Sequence, residues 1–371
     1  MQTALTRRLG LAHPIIQAPM GGANATPPAL VAAVSEAGAL GFVGAPYMTP
    51  AQIVATCRAV RDRTRRPFGV GIFAPVAPPP APNDPAPALA RVARYHAELG
   101  LAPPGPPALP AFTFEDQFAA ALEGGAAVLG FTFGLIPEPA MAAARAAGCV
   151  VMGTATTVEE ALRLERSGVD AVVVQGSEAA AHRGTFAARF EDAMVGTVAL
   201  VPQVVDAVRV PVVASGGIMD GRGIVAALAL GADAVQMGTA FLTTDECGVA
   251  PAYKAAVLQA HADGTRVTRA FSGRPARGIV NRFLTEVEAD PAPGAVLPYP
   301  YQNALTRPLR TAAAERDRPE FLSLWAGQGA RLARREPAAA LVRRLAHEMD
   351  ATLRALGRLA HGGERGRDEC H

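Results

Sequence analysis

In TVEEALRLERSGVDAVVVQG, Thr157–Gly176, a helical pattern stops at Ser167-Gly168 and an apolar run, Asp170–Gly176, follows almost at once. The run does not alternate apolar with polar residues, which is how a parallel strand buried on both faces reads. Glycine at the helix end is the expected C-terminal punctuation. Working outward, the same pattern recurs. Strand-like runs lie at Pro14–Met20, Ala39–Ala45, Pro67–Phe73, Ala126–Gly134, Gly148–Thr154, Asp170–Gly176, Val210–Gly217 and Ala232–Gly238. Stretches rich in Ala and Leu between them supply the crossovers that parallel strands require. Eight βα units in one domain predict an α/β fold of the (β/α)8 TIM-barrel class, with a doubly wound open sheet as the rival.

Two segments interrupt this rhythm. Residues 74–110 open as a polyproline-like linker, pass through one short helix at about Ala88–Leu99 and return to proline. A surface excursion and a lid over the C-terminal face of the barrel both fit this insert after strand 3. Beyond Thr243 the chain reads as helices and a Gly/Pro-rich stretch. The expected organisation is therefore a barrel over 1–73 and 111–243, the insert 74–110, a lid or substrate subdomain over 244–310, and C-terminal helices over 311–371.

Composition excludes several classes. Half of the 371 residues are apolar and 18% are charged, against about 25% for an average domain. Net charge is +2, Lys254 is the single lysine, and the arginines are spread out except near the C-terminus. No nucleic-acid partner is expected, since phosphate backbones need clustered Lys and Arg. Cys57, Cys149, Cys247 and Cys370 form no CxxC pair and no disulfide framework, which points to a reducing cytoplasm. The N-terminal residues have no long apolar core, so no secretory signal is indicated. The longest apolar stretch, Ile224–Leu242, contains Asp233 and Gln236 and reads as helix-turn-strand, not as a membrane span. No metal site is expected.

Barrel chemistry belongs on the loops after the strands, and phosphate sites are often built after strands seven and eight. Here those loops carry Ser215-Gly216-Gly217 and Gly238-Thr239. Their backbone N–H groups, with a helix starting near Arg222, suit an anion. At the end of strand one, Ala18, Pro19 and Met20 form an apolar ledge that suits an isoalloxazine ring; Met20 also reads as core filler. Gln175, followed by Gly176 at the end of strand six, fits either the polar edge of such a ring or a local backbone partner. The small residues Ala179, Ala180 and Ala181 let a planar group approach. His182 then projects at the mouth, where a neutral imidazole can take a proton from a weak carbon acid.

PIIQAPMGG, VVVQGSEAAAHRG, VPVVASGGI with ADAVQMGTAF, FSGRPARGIVNRF, PYPYQNALT and LSLWAGQG together resemble nitronate monooxygenases, over nearly the whole chain. The earlier segments are shared with a wider flavin-barrel group that includes flavin-dependent enoyl-ACP reductases; the last two point to the nitronate enzymes. The resemblance implies an FMN-dependent oxidation of alkyl nitronates, of the propionate 3-nitronate type, by molecular oxygen. An NAD(P)H-dependent enoyl-thioester reductase is the alternative. It further implies His182 as the catalytic base or anion-binding imidazole. Ala18, Pro19, Met20, Gln175, Gly176, Ala180, Ser215, Gly216, Gly217, Gly238 and Thr239 fall on the FMN site. Tyr299 and Tyr301 fall at the substrate end, an apolar shelf being the other reading of these two tyrosines. A homodimer is left open. Two departures stand out. Gly71 replaces an Asn common in the family, and Ala179, Ala180 and Ala181 stand where glycines are commoner.

Overall fold

A computed structural model describes residues 2–22 and 24–362; Cys370 lies outside them. Eleven strands are formed: β1 (Ile15–Gln17), β2 (Gly41–Gly44), β3 (Phe68–Phe73), β4 (Val128–Thr132), β5 (Val150–Ala155), β6 (Ala171–Gln175), β7 (Ala181–His182), β8 (Val212–Ser215), β9 (Ala234–Met237), β10 (Thr265–Thr268) and β11 (Ala276–Ile279). Eight of them make one parallel sheet in the order β1-β9-β8-β6-β5-β4-β3-β2. The ends meet, because Leu40 N–H donates to Ile15 C=O at 3.0 Å and Gln17 N–H to Leu40 C=O at 2.9 Å. This is the expected barrel, with each predicted run containing one strand.

The helices are α1 (Ala4–Leu9), α2 (Pro28–Glu36), α3 (Pro50–Arg61), α4 (Ala86–Glu98), α5 (Phe114–Glu123), α6 (Glu138–Ala146), α7 (Val158–Arg166), α8 (Thr197–Ala207), α9 (Gly221–Ala229), α10 (Thr239–Leu242), α11 (Pro251–Leu258), α12 (Arg282–Ala289), α13 (Tyr301–Glu315) and α14 (Ala338–Gly362). None is long and apolar enough to cross a membrane, among the described residues. Alternating strand faces split the core in two. Ile16, Phe42, Val128, Met152, Val173, Val213 and Ala234 point inward, and Leu5, Leu9 and Leu11 from α1 and the turn after it close the bottom of this inner cluster. Ile15, Val43, Val70, Leu129, Val151, Val172 and Val174 point outward against the helices.

The insert after β3 carries α4, close to its expected position. α4 packs on the C-terminal subdomain, where Tyr95 meets Phe283 and Phe321 edge-on or tilted at 4.8 and 5.7 Å. The segment after Thr243 holds a feature its sequence did not reveal. β10 and β11 form an antiparallel hairpin, and β7, in the loop after β6 that carries Ala179–Ala181, adds as a third strand.

Candidate active site

β7 is the element that places the imidazole. His182 pairs with Ala276 and Ala181 with Arg277 on β11, so the histidine is held by a sheet and not by a free loop. The turn between β10 and β11 then supplies its partner: His182 Nε2 lies 2.9 Å from Ser272 Oγ. The Ser272 hydroxyl donates to Arg274 C=O at 3.1 Å and accepts from Arg274 N–H at 3.3 Å. With the one hydroxyl proton so used, the network assigns the ring proton to Nε2 and leaves Nδ1 as the lone-pair nitrogen.

Around the ring stands an aromatic cage. Tyr299, Phe133, Trp325 and Phe73 have ring centroids 5.6, 5.8, 5.9 and 6.3 Å from His182. Phe133 adopts φ 84°, a conformation that a bulky residue takes only where its surroundings impose it. The Arg274 guanidinium lies 3.8 Å over its ring. Burial, then the charges of Arg274 and Arg310, push the His182 pKa down to about 3. The imidazole is therefore neutral across the physiological range. Among the described residues no carboxylate forms an ion pair with Arg274, Arg307 or Arg310; buried Glu160 acts on Arg274 from a distance, and the mouth carries net positive charge.

Two buried charges, Arg183 and Glu160, and the half-buried Arg274 brace this loop, and none stands out in the sequence. Arg183, 1% exposed, donates to the carbonyls of Gly176, Gln175 and Ala193 at 2.5, 3.1 and 3.1 Å. Glu160 is fully buried and accepts from Thr156, Phe186 and Ala187 N–H. Arg274 donates to the carbonyls of Arg183 and Thr185. The signal lay in charged residues flanking apolar strands, but nothing local distinguishes a buried guanidinium from a solvated one.

The proposed phosphate cradle is assembled as the strand order requires. β8 and β9 are neighbours, which brings Ser215-Gly216-Gly217 beside Gly238-Thr239. Gly216 and Gly217 have φ 118° and 73°, open to glycine and strained for other residues. Among the described residues the amides of Gly216, Gly217 and Gly238 donate to no protein acceptor. Beside it, after the neighbouring strand β1, Ala18 and Met20 face Gly238. The donor set and the apolar ledge thus fit a phosphate and a flat ring.

Several expectations need correction. The start of α9 offers no amides to an anion: Asp220 Oδ1 accepts from Arg222 and Gly223 N–H, and Glu348 on α14 accepts from Gly221 N–H at 3.1 Å. Its capping carboxylates have already taken that role. The Gln175 side chain serves its own loop, donating to His182 C=O at 3.0 Å and accepting from Gly184 N–H at 2.8 Å. Gly176 faces Thr197 and Glu178 at the head of α8. Tyr301 donates to Pro79 C=O at 3.2 Å and packs with Ala88, Val92 and Leu305, so it ties the insert down and does not line the site. Pro19 turns toward Gly71, where any Cβ would overlap its ring; an Asn side chain has no room there on this backbone. Ala180 and Thr239 lie beneath Gly327, whose N–H donates to Thr239 Oγ1 at 3.0 Å. The WAGQG turn therefore covers the cradle, with Gln328 N–H donating to Glu178 C=O at 3.0 Å.

Comparison with known proteins gives the chain its family. The family model described as nitronate monooxygenase matches residues 2–348. A probable nitronate monooxygenase of Bacillus subtilis (strain 168) is 40% identical over 333 residues, covering 88% of this chain and 92% of the relative. A solved nitroalkane oxidase from Streptomyces ansochromogenes superposes with a TM-score of 0.87 at 42% identity, covering 95% of this chain and all of that one. FabK from Thermotoga maritima is more distant, with a TM-score of 0.75 at 29% identity, covering 96% and 98%. These likenesses show that the chain belongs to the nitronate monooxygenase family and is an oxidoreductase of the flavin-dependent kind.

Proposed function

We propose that this protein uses FMN to oxidise alkyl nitronates, of the propionate 3-nitronate type, with molecular oxygen to a carbonyl compound and nitrite. The observation that carries this reading is a neutral imidazole enclosed by aromatic rings, beside three guanidinium groups without carboxylate partners. A nitronate is a flat, delocalised anion, and such a mouth attracts it without offering a competing counter-ion.

In this reading Gly216, Gly217, Gly238 and Thr239 hold the FMN phosphate by main-chain dipoles and one hydroxyl, with no lysine at the cradle. Ala18 and Met20 carry the ring. FMN, when bound, supplies the electron acceptor and the link to oxygen. His182 Nδ1, unprotonated, takes the α-proton when the neutral nitroalkane is presented; the negative charge that develops on the nitro group beside it offsets the burial and arginine charges that hold its pKa down, and Ser272 steadies the ring. The aromatic cage excludes water from the reacting carbon. The C–N bond breaks with nitrite leaving, and the carbon gains an oxygen atom; two nitronates and one O2 balance two carbonyls and two nitrites. The free, buried Cys57, Cys149 and Cys247 suit a reducing cytoplasm.

An oxygen-electrode assay with propionate 3-nitronate, run with and without NADPH, tests the proposal. Oxygen uptake and nitrite release without NADPH support it. Rapid flavin bleaching by NADPH, with no uptake on the nitronate, would establish enoyl-thioester reduction instead. His182→Asn is expected to keep its yellow colour and to lose far more activity on neutral nitroalkanes than on preformed nitronates, whose proton is already gone.

A further inference from the structure

A cleft of about 690 Å³ lies between β10, α12 and the segment 291–298 that leads to α13, and the chemistry above does not use it. Its volume is that of a small-molecule site. One wall is Gly273, next to Ser272, so the cleft backs onto the turn that holds His182. That turn has no slack: a Cβ at Gly273 would overlap the Leu297 carbonyl oxygen and the Tyr299 nitrogen.

Val267 and Thr268 both line the cleft, although neighbours in a strand point their side chains to opposite faces. A space that touches both runs along the strand edge. β10 is the outer strand of the sheet β10-β11-β7, and the register shows which backbone groups face out. Val280 N–H donates to Gly264 C=O at 2.9 Å, so by alternation Arg266 and Thr268 turn their backbone groups toward β11. Val267 turns its N–H and C=O the other way, and neither has a protein partner among the described residues. In extended backbone these two groups of one residue lie side by side, a donor next to an acceptor.

A cation completes the set. Arg269 is exposed, its guanidinium lies 5.9 Å over the half-buried Phe190 ring, and it makes no side-chain hydrogen bond or ion pair among the described residues. The nearby carboxylates are already answered: Glu288 by Arg266 at 3.0 Å, and Asp290 by the buried Arg91 at 3.0 Å. Pro275, Pro291 and Pro298 give apolar wall without N–H groups. That leaves the Val267 edge and the Arg269 charge for a ligand. Val267 is the one outward-facing residue of β10 in the cleft, too short a ladder for an added peptide strand.

We infer that this cleft is a second ligand site, separate from the flavin cradle, and that it takes a purine nucleoside monophosphate. The amino group and N1 of adenine present a donor and an acceptor side by side, the complement of Val267 C=O and N–H. The apolar walls and Phe190 suit the flat base, and the phosphate accepts from Arg269.

Equilibrium dialysis of the full chain tests this, with FMN in excess so that the cradle is closed to competitors. The probes are AMP, adenosine and ribose 5-phosphate. One AMP per chain is expected, with adenosine and ribose 5-phosphate each about tenfold weaker or more, since each offers only part of the contacts. Arg269→Met should weaken AMP about tenfold, the loss of one charge-assisted hydrogen bond, and leave adenosine unchanged. Val267→Pro deletes the outward N–H and spares the ladder to β11, a position where an edge strand tolerates proline; it should weaken AMP and adenosine alike, by about fivefold. Tm confirms that each variant is folded. Should Val267→Pro fail to fold, Arg269→Met decides, because that side chain is exposed. No AMP bound at millimolar concentration, or an AMP affinity that neither variant moves, overturns the inference.

Discussion

Replacing His182 by Asn tests the electrostatics of the cage through stability, independently of turnover. The imidazole has its pKa pushed down to about 3, chiefly by burial and then by Arg274 and Arg310. In the unfolded chain its pKa returns to about 6.5. A lowered folded-state value means that the unfolded state binds more protons between those two values. Stability is therefore unaffected by this group at neutral pH and falls as pH drops through 6.5 toward 3. At pH 7.5 the cost of keeping the ring neutral is about 0.1 kcal/mol. At pH 5 it is about 2 kcal/mol, a figure set by the unfolded value once the folded one lies well below 5. Asparagine carries no such cost. Urea unfolding of flavin-saturated wild type and His182→Asn, at pH 7.5 and 5, gives the difference of differences. The wild type should lose about 2 kcal/mol more than the variant on acidification. Equal losses would show that His182 titrates normally, and the account of a desolvated imidazole beside arginines without ion-pair partners would be wrong.

Two further perturbations address the supports of the site. Ala181 sits at φ 59°, the left-handed region that costs a residue with a Cβ about 1–2 kcal/mol. Ala181→Gly relieves this, less about 0.5–1 kcal/mol of added chain entropy, so a small rise in Tm by calorimetry is expected. Glu348→Ala frees the Gly221 amide that α14 holds at 3.1 Å and loosens the turn carrying Gly216 and Gly217. Flavin affinity, read by flavin fluorescence quenching, should weaken about three- to tenfold; an unchanged Kd would show that α14 is irrelevant to the proposed cradle.

The barrel was legible because its signal is local and repeated. Runs such as Asp170–Gly176 are apolar on both faces, and their flanking helices end at glycine, whatever the rest of the chain does. The position of His182 after the sixth barrel strand was legible for the same reason. What places it was not. Two-residue β7 has too little sequence to show a period, and its partner β11 lies about ninety positions downstream, so only the folded sheet brings Ser272 to the imidazole. Tyr301 reads like Tyr299 in the sequence, but two positions along PYPYQN separate a side chain in the cage from one under Pro79. The helix after Gly217 reads as an anion site from its backbone amides, but Asp220 at its cap, visible in the sequence, already claims them.

The turn that would grip phosphate is buttressed from outside by α14, packed so closely that any side chain at position 221 would collide with the Glu348 and Met349 backbone. That buttress lies far along the chain from the barrel it supports. All eight barrel strands are complete by Met237, yet about a hundred residues separate them from α14. A chain cut short before α14 would keep every loop of the mouth while lacking the piece that sets one of them.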